Sequence, residues 1–502
     1  MITTTSDKLY QQYTNTMRKI ADIRYSSALL QWDQETYLPP KGAIIRGQQI
    51  ATLSELAHEH FTADSLGALL QELNGRDDLT ATEKKNVALT WEDYSKQKKF
   101  TPAFVRELTE TVNRCFHSWL EARKANSFSL FAGELSKLIV LKRQEAQLLG
   151  YRQHPYDALL NEYDKGSNVQ LLDGVFNTIR QPLKDILNKI QSRPQVSNAF
   201  LYRHYPKDQQ WAFGMQVLKD LGYDLEAGRQ DVSEHPFTIN FNSRDVRVTT
   251  RIDENDLGNM VWSCIHETGH ALYEQGLPDE AYGLPLGEAA SLTIHESQSR
   301  LWENHVGRSR AFCAHYFPLL QQYFPEQLKD VTTEAFYQGI NQVTPSLIRT
   351  EADEVTYHFH VMIRYELEKR LLENTLQTND IPAWWNDHYE QYLGVQVPDD
   401  KCGCLQDVHW SHGSFGYFPT YSLGSFYAAQ FYAKASQAIP GLESQVQKGD
   451  TAALLEWLRK GVHRHGRQFT SEELSREVSG EVLDIQHFLR YMLDKYQDIY
   501  KF

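Results

Sequence analysis

The chain has few cysteines, no long apolar run and no excess of basic residues, and each shortage removes a class of protein. Five cysteines among 502 residues are too few and too scattered for a disulfide framework. Their odd number leaves at least one thiol unpaired, which suits a reducing cytoplasm. Apolar stretches fall far short of the ~20 residues that span a bilayer. The start, Met1-Ile2-Thr3-Thr4-Thr5-Ser6-Asp7, lacks the basic-then-apolar order of a signal peptide. A cytoplasmic protein with no membrane partner is expected. The net charge of -14 argues against a nucleic-acid partner, because phosphate binding needs a concentrated basic surface. The run Lys96 to Lys99 is broken by Gln97 and reads as a solvated helix end or loop. Internal repeats and low-complexity tracts are also missing.

Alternating apolar patterns are scarce and period-3.6 patterns dominate, so the expected fold is mainly α. From Lys8 to Gln34, Tyr13, Met17, Ile20, Ile23, Leu29 and Leu30 fall at helical intervals, and Pro39-Pro40 closes the segment. Thr101 before Pro102 reads as an N-cap and first-turn proline opening a helix to about Lys124. Further helices are expected near Leu130 to Leu149 with Gly150 as the stop, Leu171 to Gln191, Asp208 to Leu221, and through the last fifty residues. One stretch departs from this. Phe237, Ile239 and Phe241 alternate with polar residues, Asn242-Ser243-Arg244-Asp245 signals a turn, and Val246, Val248 and Thr250 resume the alternation. Phe237 to Ile252 is therefore read as a β-hairpin. It either braces the helix that follows or offers an edge to an extended peptide.

That next helix carries His266-Glu267-Thr268-Gly269-His270. Residues i and i+4 share a helix face, so His266 and His270 can present nitrogens to one ion, with Glu267 beside it as a general base. A hydrolytic zinc site takes a third protein ligand from a separate element. A Gly- and Pro-rich loop, Gly276 to Gly287, can turn the chain back so that a second, antiparallel helix sets Glu296 opposite the histidines; Glu288, Glu303 and His295 compete for that role. Cys264 points to a different face and reads as packing, and Cys402 and Cys404, with no second pair, read as structural thiols.

Six segments together resemble the signature set of the carboxypeptidase Taq family of metallocarboxypeptidases. In order they are His235-Pro236-Phe237, Asp245-Val246-Arg247-Val248-Thr249, the His266–His270 helix, His295-Glu296-Ser297-Gln298, Ile348-Arg349-Thr350-Glu351-Ala352-Asp353, and Gly403-Cys404-Leu405-Gln406-Asp407-Val408-His409-Trp410. Trp32 to Tyr37 and Phe418 to Tyr421 add to the likeness, which spans nearly the whole chain. The resemblance implies metal ligands His266, His270 and Glu296, one zinc ion or in some members cobalt, and removal of single C-terminal residues from peptides. It also implies a deep substrate groove flanked by helices, a fold similar to neurolysin and angiotensin-converting enzyme, and a homodimer.

The remaining roles combine this likeness with chemistry. The oxyanion of the tetrahedral intermediate needs a donor besides the metal, for which Tyr421 is the first candidate and His409 the second. A free C-terminal carboxylate is recognised bidentately by a guanidinium. Arg349 is the candidate, against a competing reading as a salt bridge to Asp353 four residues on. Arg247, otherwise a brace for the hairpin, and His235 are further substrate-side candidates. Gln406 and Asp407 are expected to orient the ligands from behind. No linker interrupts the stretch from His235 to Tyr421, which favours one peptidase domain over 1–502. Within it, helices occupy about 1–230, the metal-site region about 231–425 and the C-terminal helices about 426–502. Two rivals stay open: an endo-acting zinc oligopeptidase, and a helical binding protein with a structural metal. The intact Glu267 counts against the second.

Overall fold

The computed structural model describes residues 5–502 and is helical in most of its length. Helix α1 runs Thr5–Thr36, and the prolines that follow open a 3-10 turn at Pro40–Gly42 before a helix at Ala43–Thr62. Thr101 accepts from the Phe104 N–H at 3.2 Å, and Pro102 opens the helix Pro102–Ala125. The helix Ser129–Leu149 stops at Gly150, whose φ of +85° is costly for any residue with a Cβ. Val169–Gln191 and Lys207–Asp220 follow. The last fifty residues hold the helices Ala452–Gly461, Ser471–Ser479 and Gln486–Tyr500. Most apolar stripes converge on one main core, while the first hundred residues add a smaller core around Tyr13, Met17, Leu70, Val87 and Tyr94.

The expected hairpin is present as β2 (Thr238–Asn242) antiparallel to β3 (Asp245–Thr250), with Thr238 opposite Val248 and Asn240 opposite Val246. A third strand, β1 (Gly228–Val232), pairs parallel with β3 and gives the order β1-β3-β2, which leaves β2 at the edge. β1 was not legible because Gly228-Arg229-Gln230-Asp231-Val232 has no apolar alternation. On one face, Arg229 and Arg247, register partners on β1 and β3, bring guanidiniums 5.3 and 4.4 Å from the centre of the Trp32 ring of α1. The other face, with Val246 and Val248 buried, packs on the helix Leu257–Glu274. Among the described residues no helix is long and apolar enough to cross a membrane.

Candidate active site

The helix Leu257–Glu274, capped by Asp256 on the Asn259 N–H at 3.2 Å, carries His266, Glu267 and His270. The loop beyond it reverses the chain into the helix Leu292–Arg300, capped by Ser291 and antiparallel to the first, so that Glu296 meets the histidines. Two glycines permit this contact. A Cβ on Gly269 would lie 2.6 Å from the Ser299 Cα, and one on Gly424, in the helix Pro419–Ala438, 2.6 Å from the Glu296 Cγ. Glu296 therefore sits between two backbones at closest approach. Its Oε2 lies 3.6 Å from His270 Nε2 and 3.9 Å from His266 Nε2.

These three donors lie within 4.8 Å of one another. A tetrahedral ion with bonds of ~2.1 Å holds its ligand atoms about 3.4 Å apart, so the set fits one divalent ion after a small contraction. The neighbours fix which lone pairs face that point. Glu303, on a π turn (Leu301–Gly307) continuing the Glu296 helix, accepts the His266 Nδ1–H at 2.9 Å, so that Nε2 is the nitrogen turned towards Glu296. His270 Nδ1 bonds to His295 Nδ1, and His295 Nε2 bonds to Glu274 Oε1 at 2.7 Å. Because a carboxylate only accepts, His295 donates from Nε2 and accepts at Nδ1, so His270 turns an unprotonated Nε2 towards Glu296. Arg300 donates to Glu296 Oε1 at 2.7 Å and to Glu303 Oε2 at 3.1 Å, which commits one Glu296 oxygen and leaves Oε2 facing the two histidines. Of the rival ligands, Glu303 bonds to the far side of the His266 ring, His295 to that of His270, and Glu288 pairs with Arg467 at 3.2 Å.

Glu267 lies beside this point, 8% exposed. Burial pushes its carboxyl above the ordinary range, offset in part by His266 and by the hydroxyl of Thr238, which donates to Oε2 at 2.6 Å. Burial alone would lower the His266 pKa, but Glu303 and Glu296 outweigh it and raise it. Burial and the neighbouring imidazoles of His295 and His266 hold His270 well below the usual value.

Arg349 is 6% exposed and does not pair with Asp353. The segment Arg349–Glu351 is a 3-10 turn, and Asp353 instead accepts the Val355 and Thr356 N–H groups at 2.9 Å each. Arg349 donates through Nε and Nη2 to Asp407 Oδ1 at 3.0 and 2.9 Å, and through Nη1 to the Tyr357 hydroxyl at 3.1 Å. The other Asp407 oxygen takes the fully buried Arg364 at 2.6 Å. Burial works to raise the Asp407 pKa, but the two guanidiniums overcome it and hold the carboxyl well below its ordinary value. Gln406 accepts the Arg349 N–H at 2.9 Å. Gln406 and Asp407 therefore organise Arg349 rather than the histidine ligands, a correction to the sequence expectation.

The two clusters touch through Tyr357, whose ring carries the Arg300 guanidinium 4.6 Å above it while its hydroxyl accepts from Arg349. Tyr421 lies under Arg349, ring centre 4.8 Å from the guanidinium, with its hydroxyl 3.2 Å from His409 Nε2. Burial raises Tyr421 well above the usual phenol value and lowers His409 to about 3, so both stay neutral. Arg247 holds Asp245 bidentately at 2.8 and 2.9 Å and stacks on Trp32 and Phe241, the geometry of a brace. His235 is exposed between β1 and β2, and none of the contacts above involves it. Thr238, Arg300, Tyr357 and Arg364 were missed. Only Arg300, four residues after Glu296, had a local signal. All five cysteines are free thiols, and Cys264 packs against Gly214 and Gln230.

The model of the carboxypeptidase Taq (M32) metallopeptidase family matches residues 12–496. "Thermostable carboxypeptidase 1" of Thermus thermophilus is 38% identical across 99% of this chain and 100% of its own. "Carboxypeptidase 1" of Bacillus subtilis is 36% identical across 98% of each. The crystal structure of an M32 carboxypeptidase from Deinococcus radiodurans superposes with a TM-score of 0.97 at 41% identity, covering 99% of this chain and all of the other. With the His-His-Glu cluster in place and the likeness running nearly end to end, the chain belongs to the carboxypeptidase Taq (M32) family and is a metallocarboxypeptidase.

Proposed function

We propose that this enzyme releases single C-terminal residues from short peptides with broad side-chain tolerance, holding one zinc or cobalt ion on His266, His270 and Glu296. The observation that carries the reading is the charge around Arg349. Asp407 is shared between Arg349 and Arg364, and His409 is neutral, so one buried guanidinium charge lacks an anion. A C-terminal carboxylate supplies that anion and suits the planar fork of arginine. A single side chain, Tyr357, spans the gap between this charge and the residues of the ion, a separation suited to one substrate residue.

A divalent ion in the site supplies an activated water at neutral pH and polarises the scissile carbonyl. Glu267 takes a proton at Oε1, the oxygen that Thr238 does not engage, and returns it to the departing amine. Tyr421, kept protonated by burial, offers its O–H to the developing oxyanion, with His409 as the alternative donor. β2 is a terminal strand of the sheet, the position from which an extended substrate would pair its backbone. Five free cysteines fit a cytoplasmic location, and family likeness favours a homodimer.

The test is release of free amino acid from an N-blocked dipeptide and a longer peptide, each beside its C-terminal-amide twin, before and after thorough chelation. Stepwise release from the acids, resistance of the amides, and recovery on adding zinc or cobalt are expected. Internal cleavage that ignores the amide overturns the exopeptidase reading, and full activity after metal removal overturns the metal.

A further inference from the structure

Thr238 and Asn240 are polar residues on the face of β2 that meets the motif helix, opposite the buried valines Val248 and Val246. Both are committed to carboxylates on that helix. Thr238 Oγ1 donates to Glu267 Oε2 at 2.6 Å, and Asn240 Nδ2 donates to Glu274 Oε2 at 2.6 Å. Alternate strand residues share a face, and helix residues seven apart share a face, so one short strand reaches two turns of the same helix stripe. Glu274 passes the contact on to His295, and His295 to His270.

We propose that β2 is a two-armed positioning strand: Thr238 orients the Glu267 carboxylate, and Asn240, through Glu274 and His295, orients the metal-facing nitrogen of His270. The inference rests on the roles given to Glu267 and His270 under Proposed function. Its physical content is a restriction of freedom. A carboxylate fixed at one oxygen cannot turn about its last bond, so Oε1 of Glu267 is held towards the reacting water. Asn240 occupies one Glu274 oxygen and leaves the other to His295, which keeps His295 in the tautomer that accepts from His270. The arms meet different residues, so their effects are separable. A merely structural strand would instead make both effects follow stability.

The experiment compares Thr238→Val, Thr238→Ser, Asn240→Leu and Asn240→Ser for kcat and KM on the N-blocked dipeptide. It also measures zinc affinity of the apoprotein by competition with a chromophoric chelator, and thermal midpoint. Thr238→Val is expected to lower kcat about ten-fold with KM and zinc affinity unchanged, the effect of one lost charge-assisted hydrogen bond. Thr238→Ser should restore the rate. Asn240→Leu is expected to weaken zinc binding about ten-fold, with a rate deficit that shrinks as zinc is raised. Asn240→Ser, too short to reach Glu274, should behave in the same way and serves if the leucine variant does not fold. Losses of kcat and zinc affinity that rise together with loss of thermal midpoint would overturn the proposal, as would an unchanged kcat in Thr238→Val. Glu267→Gln and His270→Ala run alongside. If they change neither kcat nor zinc affinity, the underlying roles fail; if they act and the strand variants do not, the brace alone fails.

Discussion

The two ends of the site carry opposite formal charge. At the metal end four carboxylates, Glu267, Glu274, Glu296 and Glu303, face two guanidiniums, Arg300 and Arg308, among the imidazoles of His266, His270 and His295. At the arginine end two guanidiniums, Arg349 and Arg364, share the single carboxylate of Asp407. One end is short of positive charge and the other of negative. On the function proposed above, a divalent cation and a peptide carboxylate would be the complements, and a substrate bound at both would lay its last peptide bond between them. The chain's net charge of -14 shows nothing of this, because a summed charge does not locate the field.

The largest expected effect is at the metal end. Glu267→Gln keeps the shape of the side chain and removes the proton acceptor, and should lower kcat about a thousand-fold with zinc affinity nearly intact; a kcat within a few-fold of wild type would remove Glu267 as the base. At the arginine end, Arg349→Met should cost about a hundred-fold in kcat/KM on free-acid substrates while leaving the slow reaction of amide twins unchanged, since Arg364 still pairs Asp407. An equal loss on acids and amides would show that Arg349 supports the fold rather than the carboxylate. Tyr421→Phe lies between the ends and should lower kcat about ten-fold with little change in KM, the loss of one oxyanion donor. If Tyr421→Phe is silent, His409→Ala becomes the next variant to assay.

The smallest effect is in stability and sharpens the contrast between two buried carboxylates. Asp407 faces charged donors and stays ionised. Glu368, fully buried in the helix Tyr357–Glu373, accepts from the neutral Tyr156 hydroxyl, from Trp410 Nε1 at 2.8 Å and from the Gly416 N–H at 2.7 Å. Burial pushes it from 4.5 up to about 7 despite those donors. Between these pH values the native chain holds a proton that the unfolded chain has released. Stability from Glu368 is therefore complete below about 4.5 and is lost as pH rises through about 7, by at most about 3 kcal/mol. Glu368→Gln should flatten that segment of the unfolding free energy against pH, measured in urea. An unchanged slope would place the titration on another group.

Local signals carried much of this molecule. The cap at Thr101, the stop at Gly150, the hairpin turn at Asn242–Asp245 and the i,i+4 histidines depend on residues within a few positions of one another, where propensity and spacing act. They settled the helical class, the motif helix and its Glu267, and the family likeness added Glu296 and Arg349. The tertiary structure decided what those residues touch. Arg349 has Asp353 four residues away but bonds to Asp407, because a 3-10 turn replaces the helix that would have aligned the nearer pair. The alternation in β2 says which residues share a face, but only packing turns Thr238 and Asn240, rather than Ile239 and Phe241, towards the motif helix. His295 and Glu303 looked like rival ligands and instead accept hydrogen bonds from His270 and His266, an arrangement set by the antiparallel return of a helix across a loop. Spacing determines what a residue can reach along its own element; charge pairing between elements is decided when burial forces each buried polar group to find a partner.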